Sequence, residues 1–327
     1  MVERNGDGMG QDKGAADTLS VAVYLYEPGD GGLDRVAIML ANHLRRRGVA
    51  VELWLTRTEG PAAHLIDPAV PVRQVPAPPL GRRATMIAQF PLLAAMVRRH
   101  RPDILYSAGN QSNMLVALAA LGTGTRAVGR ISNPIRHPGK TGVAALARLL
   151  RIRAIARIST ATIVMGQADR STLSEAGPLA APNVRLLPRP TVTPAMERTA
   201  SARRDGDAAG PRRLLMVGRL TPQKDHATAL AALARLTDVD WRLKIAGQGP
   251  LRDDLRALCR ALGIERRVEF LGYVADPARL AQLMGEADLL LQSSRWEGLA
   301  GTMIEALACG AGVVSTDSTP NIRPLLA

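Results

Sequence analysis

The sequence has few of the residues that indicate a disulfide framework, a metal centre or a nucleic-acid-binding domain. Only two of its 327 residues are cysteine, and Phe, Trp and Tyr together make up 3%. Both cysteines fall inside predicted helices, which argues against a disulfide scaffold and fits a reducing compartment. The five histidines show no zinc-ligand spacing, so we predict neither a metal site nor a cofactor. Because aromatic stacking platforms are scarce, we expect no nucleic acid partner.

Long hydrophobic runs are also absent. The longest apolar stretches, residues 104–121 and 146–165, are interrupted by polar or arginine residues. Neither supplies the roughly 20 apolar positions that a transmembrane helix needs. Residues 1–18 are rich in Gly and Asp and lack the apolar core of a signal peptide, so we predict a disordered tail and a cytoplasmic protein.

The charge is positive and unevenly distributed. The formal net charge is +13, and only four of the 42 basic residues are lysine. Residues 19–195 hold 22 Lys and Arg against nine Asp and Glu, whereas residues 196–327 hold 18 against 16. This bias is consistent with GC-rich coding. It is equally consistent with peripheral binding to an anionic membrane, such as the inner face of the plasma membrane, because clusters such as residues 148–157 alternate Arg with apolar residues.

Hydrophobic periodicity predicts two consecutive domains of the α/β class. Short β-rich runs alternate with helical patterns from Ser20 to Met165, and the alternation restarts at Arg213 after a stretch rich in Pro, Ala and Arg. Such alternation is typical of Rossmann-like parallel sheets with helices on both faces. We therefore predict a first domain at residues 19–190, a linker at 191–212 and a second domain at 213–327.

A loop with two cations follows the first predicted strand of the second domain. Residues 218–225 read GRLTPQKD and precede a helix, a position at which open α/β sheets bind ligands. Arg219 can donate two hydrogen bonds to phosphate oxygens and Lys224 adds a point charge, each charge-assisted bond contributing about 1.5–3 kcal/mol. Together they could balance a diphosphate without a metal. The alternative is that both are solvated loop charges.

Two glutamates flank the start of a later predicted helix. Residues 297–305 read EGLAGTMIE, with Glu297 at a strand end and Glu305 two turns into the helix. An exposed helix N-terminus stabilises a nearby anion by about 0.3–1 kcal/mol, which suits a diphosphate at residues 300–303. A carboxylate deeper in the helix can accept hydrogen bonds from ribose hydroxyls. Taken singly, Glu297 could instead cap the helix and Glu305 could face solvent.

Together these segments resemble the family 4 retaining glycosyltransferases. Residues 297–305 match the EX7E motif of that family, and Gly218, Arg219 and Lys224 match its phosphate-binding segment. The resemblance implies a metal-independent hexosyltransferase of the GT-B fold, whose acceptor-side and nucleotide-sugar-binding domains face each other across a cleft. It also implies transfer, with retention of configuration, to a glycan or lipid-linked acceptor in cell-surface polysaccharide synthesis.

The same resemblance implies roles for single residues. Glu297 contacts the donor sugar, Glu305 the ribose, and Arg219 with Lys224 the diphosphate. The glycine loop of the first domain approaches the phosphates, and residues 272–273 pack against the base. The implied catalytic residues are Glu297, Arg219 and Lys224, and the implied donor-binding residues are Glu305, Gly31, Gly32, Gly218, Tyr273, Gly298, Leu299, Ala300, Gly301 and Thr302.

The sequence departs from the family pattern in several places. Ala300 replaces a usual Pro, residues 311–312 replace a common Thr-Pro, and Arg189 replaces a usual Asn. The chain ends at Ala327, soon after the strand that follows the EX7E helix. We therefore expect an incomplete second domain of marginal stability, because uncovered apolar surface costs about 25 cal/mol per Å².

Two other functions remain open at this point. One is a nucleotide-sugar epimerase of the same fold, which would need no acceptor, and the other is an inactive protein that binds membrane surfaces. Further signals are weaker. Residues 247–249 lack the third glycine of a dinucleotide fingerprint. Residues 238–240 resemble a DxD metal motif, but they precede a strand and therefore indicate a surface turn. His137 is interpreted as a plain loop residue.

Overall fold

The computed structural model describes residues 19–29, 31–78, 80–136, 141–175, 180–188, 191–202 and 210–326. The predicted tail at residues 1–18 lies outside these ranges, as do His137, Arg189 and Ala327. The described residues form two parallel sheets covered by helices, which confirms the predicted pair of α/β domains. Within them, no helix combines the length and the apolar character that a membrane span requires.

The first domain contains a seven-stranded sheet. Its strands are β1 (Ser20–Leu25), β2 (Ala50–Leu55), β3 (Val72–Gln74), β4 (Ile104–Ser107), β5 (Arg126–Arg130), β6 (Ala161–Val164) and β7 (Val184–Leu186). They lie in the order β3-β2-β1-β4-β5-β6-β7, and adjacent strands are parallel. Because β1 pairs with both β2 and β4, the winding direction changes there and leaves a crevice at the carboxyl ends of these strands.

Helices cover both faces of this sheet. The α-helices described are α1 (Gly32–Arg46), α2 (Arg82–Ala88), α3 (Phe90–His100), α4 (Asn113–Ala120), α5 (Gly142–Ile158) and α6 (Gln167–Ser174). One face buries α1 through Ala37, Ile38 and Ala41 against the sheet, and the other buries α3 and α4 against Tyr24 and Trp54. The spacing of these α1 residues is the helical apolar stripe that the sequence pattern indicates.

The second domain contains a five-stranded sheet. Its strands are β8 (Arg212–Val217), β9 (Trp241–Ala246), β10 (Val268–Gly272), β11 (Leu289–Gln292) and β12 (Gly312–Ser315), in the parallel order β10-β9-β8-β11-β12. The helices are α7 (Pro194–Ala202), α8 (His226–Leu233), α9 (Arg252–Ala261), α10 (Pro277–Glu286), α11 (Gly301–Ala308) and α12 (Arg323–Leu326). The winding direction changes between β8 and β11, so the loops after these strands lie side by side.

The segment expected to be a linker contains a helix that belongs to the second domain. Helix α7 packs against α10 and α11, and its Met196 is buried in one cluster with Met284 and Met303. The Pro and Arg residues around α7 give the segment the composition of a linker. Its short apolar stripe becomes recognisable only where the other helices cover it.

Candidate functional site

The loop after β8 is held by a second loop that follows β9. The amide of Gly218 donates to the carbonyl of Ala246 (N to O 3.0 Å), and the amide of Leu220 donates to the carbonyl of Gln248 (2.8 Å). A Cβ on Gly247 would collide with the carbonyl oxygen of Gly218. Residues 247–249 therefore serve close backbone packing, which explains their glycines without a dinucleotide site.

A substitution at Gly247 should therefore disturb the Arg219 loop. We expect Gly247→Ala to lower the melting temperature by several degrees, because backbone atoms block the added methyl group. Thermal melting measures this effect. Gly81→Ala is the matched control, since a Cβ there meets open space. Equal behaviour of the two variants would show that the loops tolerate separation.

Lys224 and Glu297 form an ion pair where the loops after β8 and β11 meet. The Nζ of Lys224 lies 2.6 Å from Oε1 of Glu297, and the side chains are 17% and 9% exposed. The hydroxyl of Ser294 donates to the same oxygen (Oγ to Oε1 2.8 Å). Among the described residues, no hydrogen bond reaches Oε2 of Glu297. The structure thus brings together two of the three predicted catalytic residues and leaves one carboxylate oxygen for a ligand.

Backbone and side-chain hydrogen bonds fasten the same two loops to each other. The amide of Arg295 donates to the carbonyl of Gln223 (2.8 Å), and the side-chain amide of Gln223 donates to the carbonyl of Trp296 (Nε2 to O 3.1 Å). The hydroxyl of Ser293 donates to the carbonyl of Asp225 (Oγ to O 2.7 Å). The positions of Lys224 and Glu297 are therefore set by a network and do not depend on their ion pair alone.

Two titratable groups at the start of α8 have shifted pKa values. Burial, followed by the charge of Lys224, lowers the pKa of His226 to about 4, so this imidazole is neutral at pH 7 and adds no cation to the site. Burial raises the pKa of Asp225, but hydrogen bonds from Arg295 and Thr228 outweigh it, so the net shift is downward. Asp225 therefore stays ionised and holds Arg295.

The third predicted catalytic residue, Arg219, is exposed in the same loop as Lys224. Its guanidinium forms no hydrogen bond or ion pair with a described residue. The described residues also place no three His, Cys, Asp or Glu side chains where they could share a metal ion. The site therefore presents one cation fixed by a carboxylate and one cation that can move to meet an anion.

Helix α11 carries the remaining second-domain candidates. Its first residues have no side-chain cap, and Gly301 is its first helical residue. The hydroxyl of Thr302 donates to Gln292 at the end of β11 (Oγ1 to Oε1 3.0 Å), and Glu305 accepts a hydrogen bond from Thr191. The side chains of Leu299 and Ala300 are buried. These two residues can therefore offer a ligand only backbone groups.

The other candidates lie on other elements of the two domains. Gly31 precedes α1 and Gly32 begins it, at the carboxyl end of β1 in the first domain. Tyr273 follows β10, and the positive φ of Gly272 (74°) turns the chain there. Within the described residues, no hydrogen bond or ion pair joins Gly31, Gly32 or Tyr273 to Arg219, Lys224 or Glu297.

Two polar residues that contact the predicted glutamates were missed by the sequence reasoning. Ser294 stands in the polar run that directly follows β11, and polar residues at the carboxyl end of a strand were an available signal. Thr191, which binds Glu305, lies in the predicted linker, where no local pattern distinguishes it.

Comparison with protein families gives matches over both domains. Residues 198–326 match the family model described as glycosyl transferases group 1, and residues 31–190 match the model of a glycosyl transferase 4-like domain. The chain is 30% identical over 341 residues to the D-inositol 3-phosphate glycosyltransferase of Geodermatophilus obscurus, a match that covers 91% of this chain and 74% of that relative.

A second relative matches over a shorter stretch. The N-acetylgalactosamine-N,N'-diacetylbacillosaminyl-diphospho-undecaprenol 4-alpha-N-acetylgalactosaminyltransferase of Campylobacter jejuni is 38% identical over 112 residues. That match covers 34% of this chain and 30% of the relative, so the chain matches less than a third of the relative's length.

Solved structures share the fold at low identity. The Anabaena protein HepE in complex with UDP and glucose has a TM-score of 0.72 at 22% identity, over 93% of this chain and 82% of that one. The lipopolysaccharide outer core galactosyltransferase WaaB in its apo form has a TM-score of 0.67 at 18% identity, over 94% and 83%. At these identities the likeness shows the fold alone.

Proposed function

Because this chain belongs to the group 1 glycosyl transferases and has the GT-B fold, we propose that it transfers a sugar from a nucleotide-diphosphate donor, with retention of configuration. The observation that carries the proposal is the Lys224–Glu297 ion pair at the change in winding direction of the second sheet, with Arg219 exposed in the loop that carries Lys224. This is a place where open α/β sheets bind nucleotides.

The proposed reaction uses these side chains for charge and position. The acceptor hydroxyl attacks the anomeric carbon from the face that the diphosphate leaves, the bond from that carbon to the diphosphate oxygen breaks, and this oxygen takes the hydroxyl proton. Arg219 and Lys224 stabilise the negative charge that develops on the leaving group. Glu297 orients Lys224 through Oε1 and offers Oε2 to the donor sugar.

A panel of nucleotide sugars tests this proposal. We expect one of the common uridine or guanosine diphosphate sugars to raise the melting temperature by several degrees, since a ligand at 100 times its Kd adds about 2.7 kcal/mol of stability. The shift and the transfer rate should be unchanged in EDTA, because the neutralising groups are side chains. Product analysis with donor alone identifies an epimerase, which would interconvert the sugar without an acceptor. The melting temperature of an inactive surface-binding protein would not rise with any of the donors.

The proposed acceptor is a glycan or a lipid-linked sugar in cell-surface polysaccharide synthesis. The name of the Campylobacter relative includes a diphospho-undecaprenol acceptor, and one solved neighbour is named for lipopolysaccharide outer core synthesis. An acceptor of that kind would bring the enzyme to the cytoplasmic membrane surface. The first domain has features that suit such a surface.

The outer face of three helices is apolar and almost free of acidic residues. Helix α4 contacts both α3 and α5 on one side of the first sheet. Between Asp67 and Asp169 the sequence has 14 Lys and Arg and one acidic residue, Asp103. Such a surface complements an anionic bilayer. The exposed apolar side chains are Phe90 and Leu92 on α3, Met114 and Leu118 on α4, Leu121 just after α4, and Val143, Leu146 and Leu150 on α5.

Hydrogen bonds within the first domain limit which arginines are available to contact an anionic bilayer. Arg148 donates to the carbonyls of Pro134 and Ile135, and Arg153 donates to the carbonyl of Thr172. Arg157 reaches the carbonyl of Ala180. Most arginines of the cluster at residues 148–157 therefore form hydrogen bonds within the first domain. The exposed arginines at the end of α3 and the apolar start of α5 are the better lipid contacts.

Membrane binding is tested with vesicles of defined composition. We expect the protein to bind vesicles that contain phosphatidylglycerol, and to bind less as salt increases, since each Lys or Arg near the surface contributes about 1 kcal/mol. The double variant Val143→Glu with Leu146→Glu should lose most of this binding in sedimentation assays, because Val143 is 84% exposed. The matched control is Leu236→Glu with Val239→Glu in the second domain.

The control separates a specific face from general charge attraction. Both pairs add two negative charges and remove two exposed apolar side chains, so equal losses would assign binding to net charge. Equal binding to phosphatidylcholine vesicles, or none to either vesicle, would favour the GC-rich coding explanation of the arginines.

A further inference from the structure

The glutamate loop of the second domain lies directly against the first domain. A Cβ on Gly298 would collide with the carbonyl oxygen of Ser132, in the loop after β5. On the other side, the amide of Glu297 donates to the carbonyl of Ser318, in the loop after β12 (N to O 3.3 Å). The peptide between Glu297 and Gly298 is therefore enclosed by one loop from each domain.

One buried amide side chain links these loops. Asn321, which is 6% exposed, donates from Nδ2 to Oδ2 of Asp169 (2.8 Å) and to the carbonyl of Gly298 (3.3 Å). Asp169 lies in α6 of the first domain, is 8% exposed, and accepts the amide of Ile135 at its other oxygen (N to Oδ1 3.3 Å). A side-chain NH₂ group has two hydrogens, so Asn321 can give one to each domain.

Neighbouring residues of the first domain leave space for the side-chain amide of Asn321 and accept its hydrogen bond. A Cβ on Gly166, the residue before α6, would collide with the side-chain amide of Asn321. Asp169 forms no ion pair with a described residue, and burial raises its pKa although hydrogen bonds from Asn321 and Ile135 oppose the shift. A buried carboxyl group depends on such hydrogen bonds, because removing it from water is costly.

Stability alone does not explain an asparagine at this position. Its Oδ1 is buried and has no hydrogen-bond partner among the described residues. An apolar side chain of similar volume would fill the space without an unsatisfied oxygen. What such a side chain could not do is hold the carbonyl of Gly298 and a carboxylate of the first domain at once.

We propose that Asn321 is a positioning residue that couples docking of the two domains to the geometry of the Glu297 loop. When the domains are docked, Asp169 orients the amide of Asn321, and this amide fixes the carbonyl of Gly298 next to Glu297. Separation of the domains removes Asp169 and frees the loop. The inference rests on the proposed function, because it gives the loop a role in transfer.

The first test measures loop order in the protein without ligand. Asn321→Leu keeps the volume and removes both hydrogen bonds, so we expect the amides of residues 294–301 to exchange with deuterium about tenfold faster, which is about 1.4 kcal/mol of lost protection. Ser318→Ala is the matched control: it also replaces a buried polar residue of the same loop, but the Ser318 hydroxyl has no partner. Equal exchange in the wild type and Asn321→Leu would overturn the proposal. Should Asn321→Leu not fold, the variant Gly166→Ala is used in its place, because the added methyl group displaces the side-chain amide of Asn321.

A second test exchanges the two side chains. Asp169→Asn with Asn321→Asp restores a hydrogen bond between positions 169 and 321, with the donor now on the first domain, but leaves the carbonyl of Gly298 without a donor. We expect this double variant to melt within a few degrees of the wild type, to keep its donor KM within about threefold, and to lose tenfold or more in kcat. Wild-type kcat in the double variant would show that the contact only holds the domains together. The exchange experiment needs no transfer activity, so its outcome stands even if the proposed reaction is wrong.

Discussion

Glu297→Gln is expected to lower the rate of sugar transfer by on the order of 10³ while the fold is retained. The glutamine side chain keeps the length of glutamate, and its oxygen can still accept from Lys224 and Ser294. It cannot carry the negative charge that balances Lys224, and it presents an NH₂ donor at the Oε2 position, which the proposed reaction uses to contact the donor sugar. The loss should therefore appear in kcat and leave nucleotide binding within about tenfold.

The measurement combines product formation with two controls for structure. The melting temperature should fall less in Glu297→Gln than in Lys224→Ala, because glutamine still accepts hydrogen bonds from Lys224 and Ser294. Calorimetry should still detect the nucleoside diphosphate. Ser294→Ala removes a hydrogen bond to the same oxygen but keeps the carboxylate, so its rate should fall by no more than about tenfold. Transfer by Glu297→Gln at the wild-type rate would reject this carboxylate as a catalytic group.

Arg219→Ala and Lys224→Ala are each expected to lower transfer by on the order of 10²–10³, since each removes a cation from the developing diphosphate charge. Their effects on stability should differ. Lys224→Ala leaves the buried carboxylate of Glu297 without its cation and should cost about 3–5 kcal/mol. Arg219 is exposed, so its removal should change stability by about 0.5 kcal/mol or less.

Rate and melting temperature measured on the same samples check both expectations. Arg235→Ala serves as the control, because it removes an exposed arginine in the turn after α8, away from the Lys224 loop. It should affect neither quantity. Strict dependence of the wild type on Mg²⁺, or an unchanged rate in both Arg219→Ala and Lys224→Ala, would show that another group neutralises the diphosphate.

Most of the architecture follows from local sequence patterns. The strands Trp241–Ala246, Leu289–Gln292 and Gly312–Ser315 lie in the stretch where the sequence predicts alternating strands and helices, because their apolar runs end at turn residues within a few positions. The structure confirms the two parallel sheets that the alternation of strands and helices predicts. In a parallel sheet this alternation also places the segments that begin at Gly218 and Glu297 at the carboxyl ends of strands.

The sequence by itself therefore determined the fold class, the order of the elements and the edge of the second sheet that carries the candidate site. Tertiary structure decided which side chains meet there. Lys224 and Glu297 are 73 residues apart, Asp169 and Asn321 are 152 apart, and helix α7 becomes part of a core only beneath α10 and α11. The physical reason is range: periodicity reports how a segment folds on itself, whereas an ion pair or a buried amide bridge depends on where distant loops are placed relative to one another.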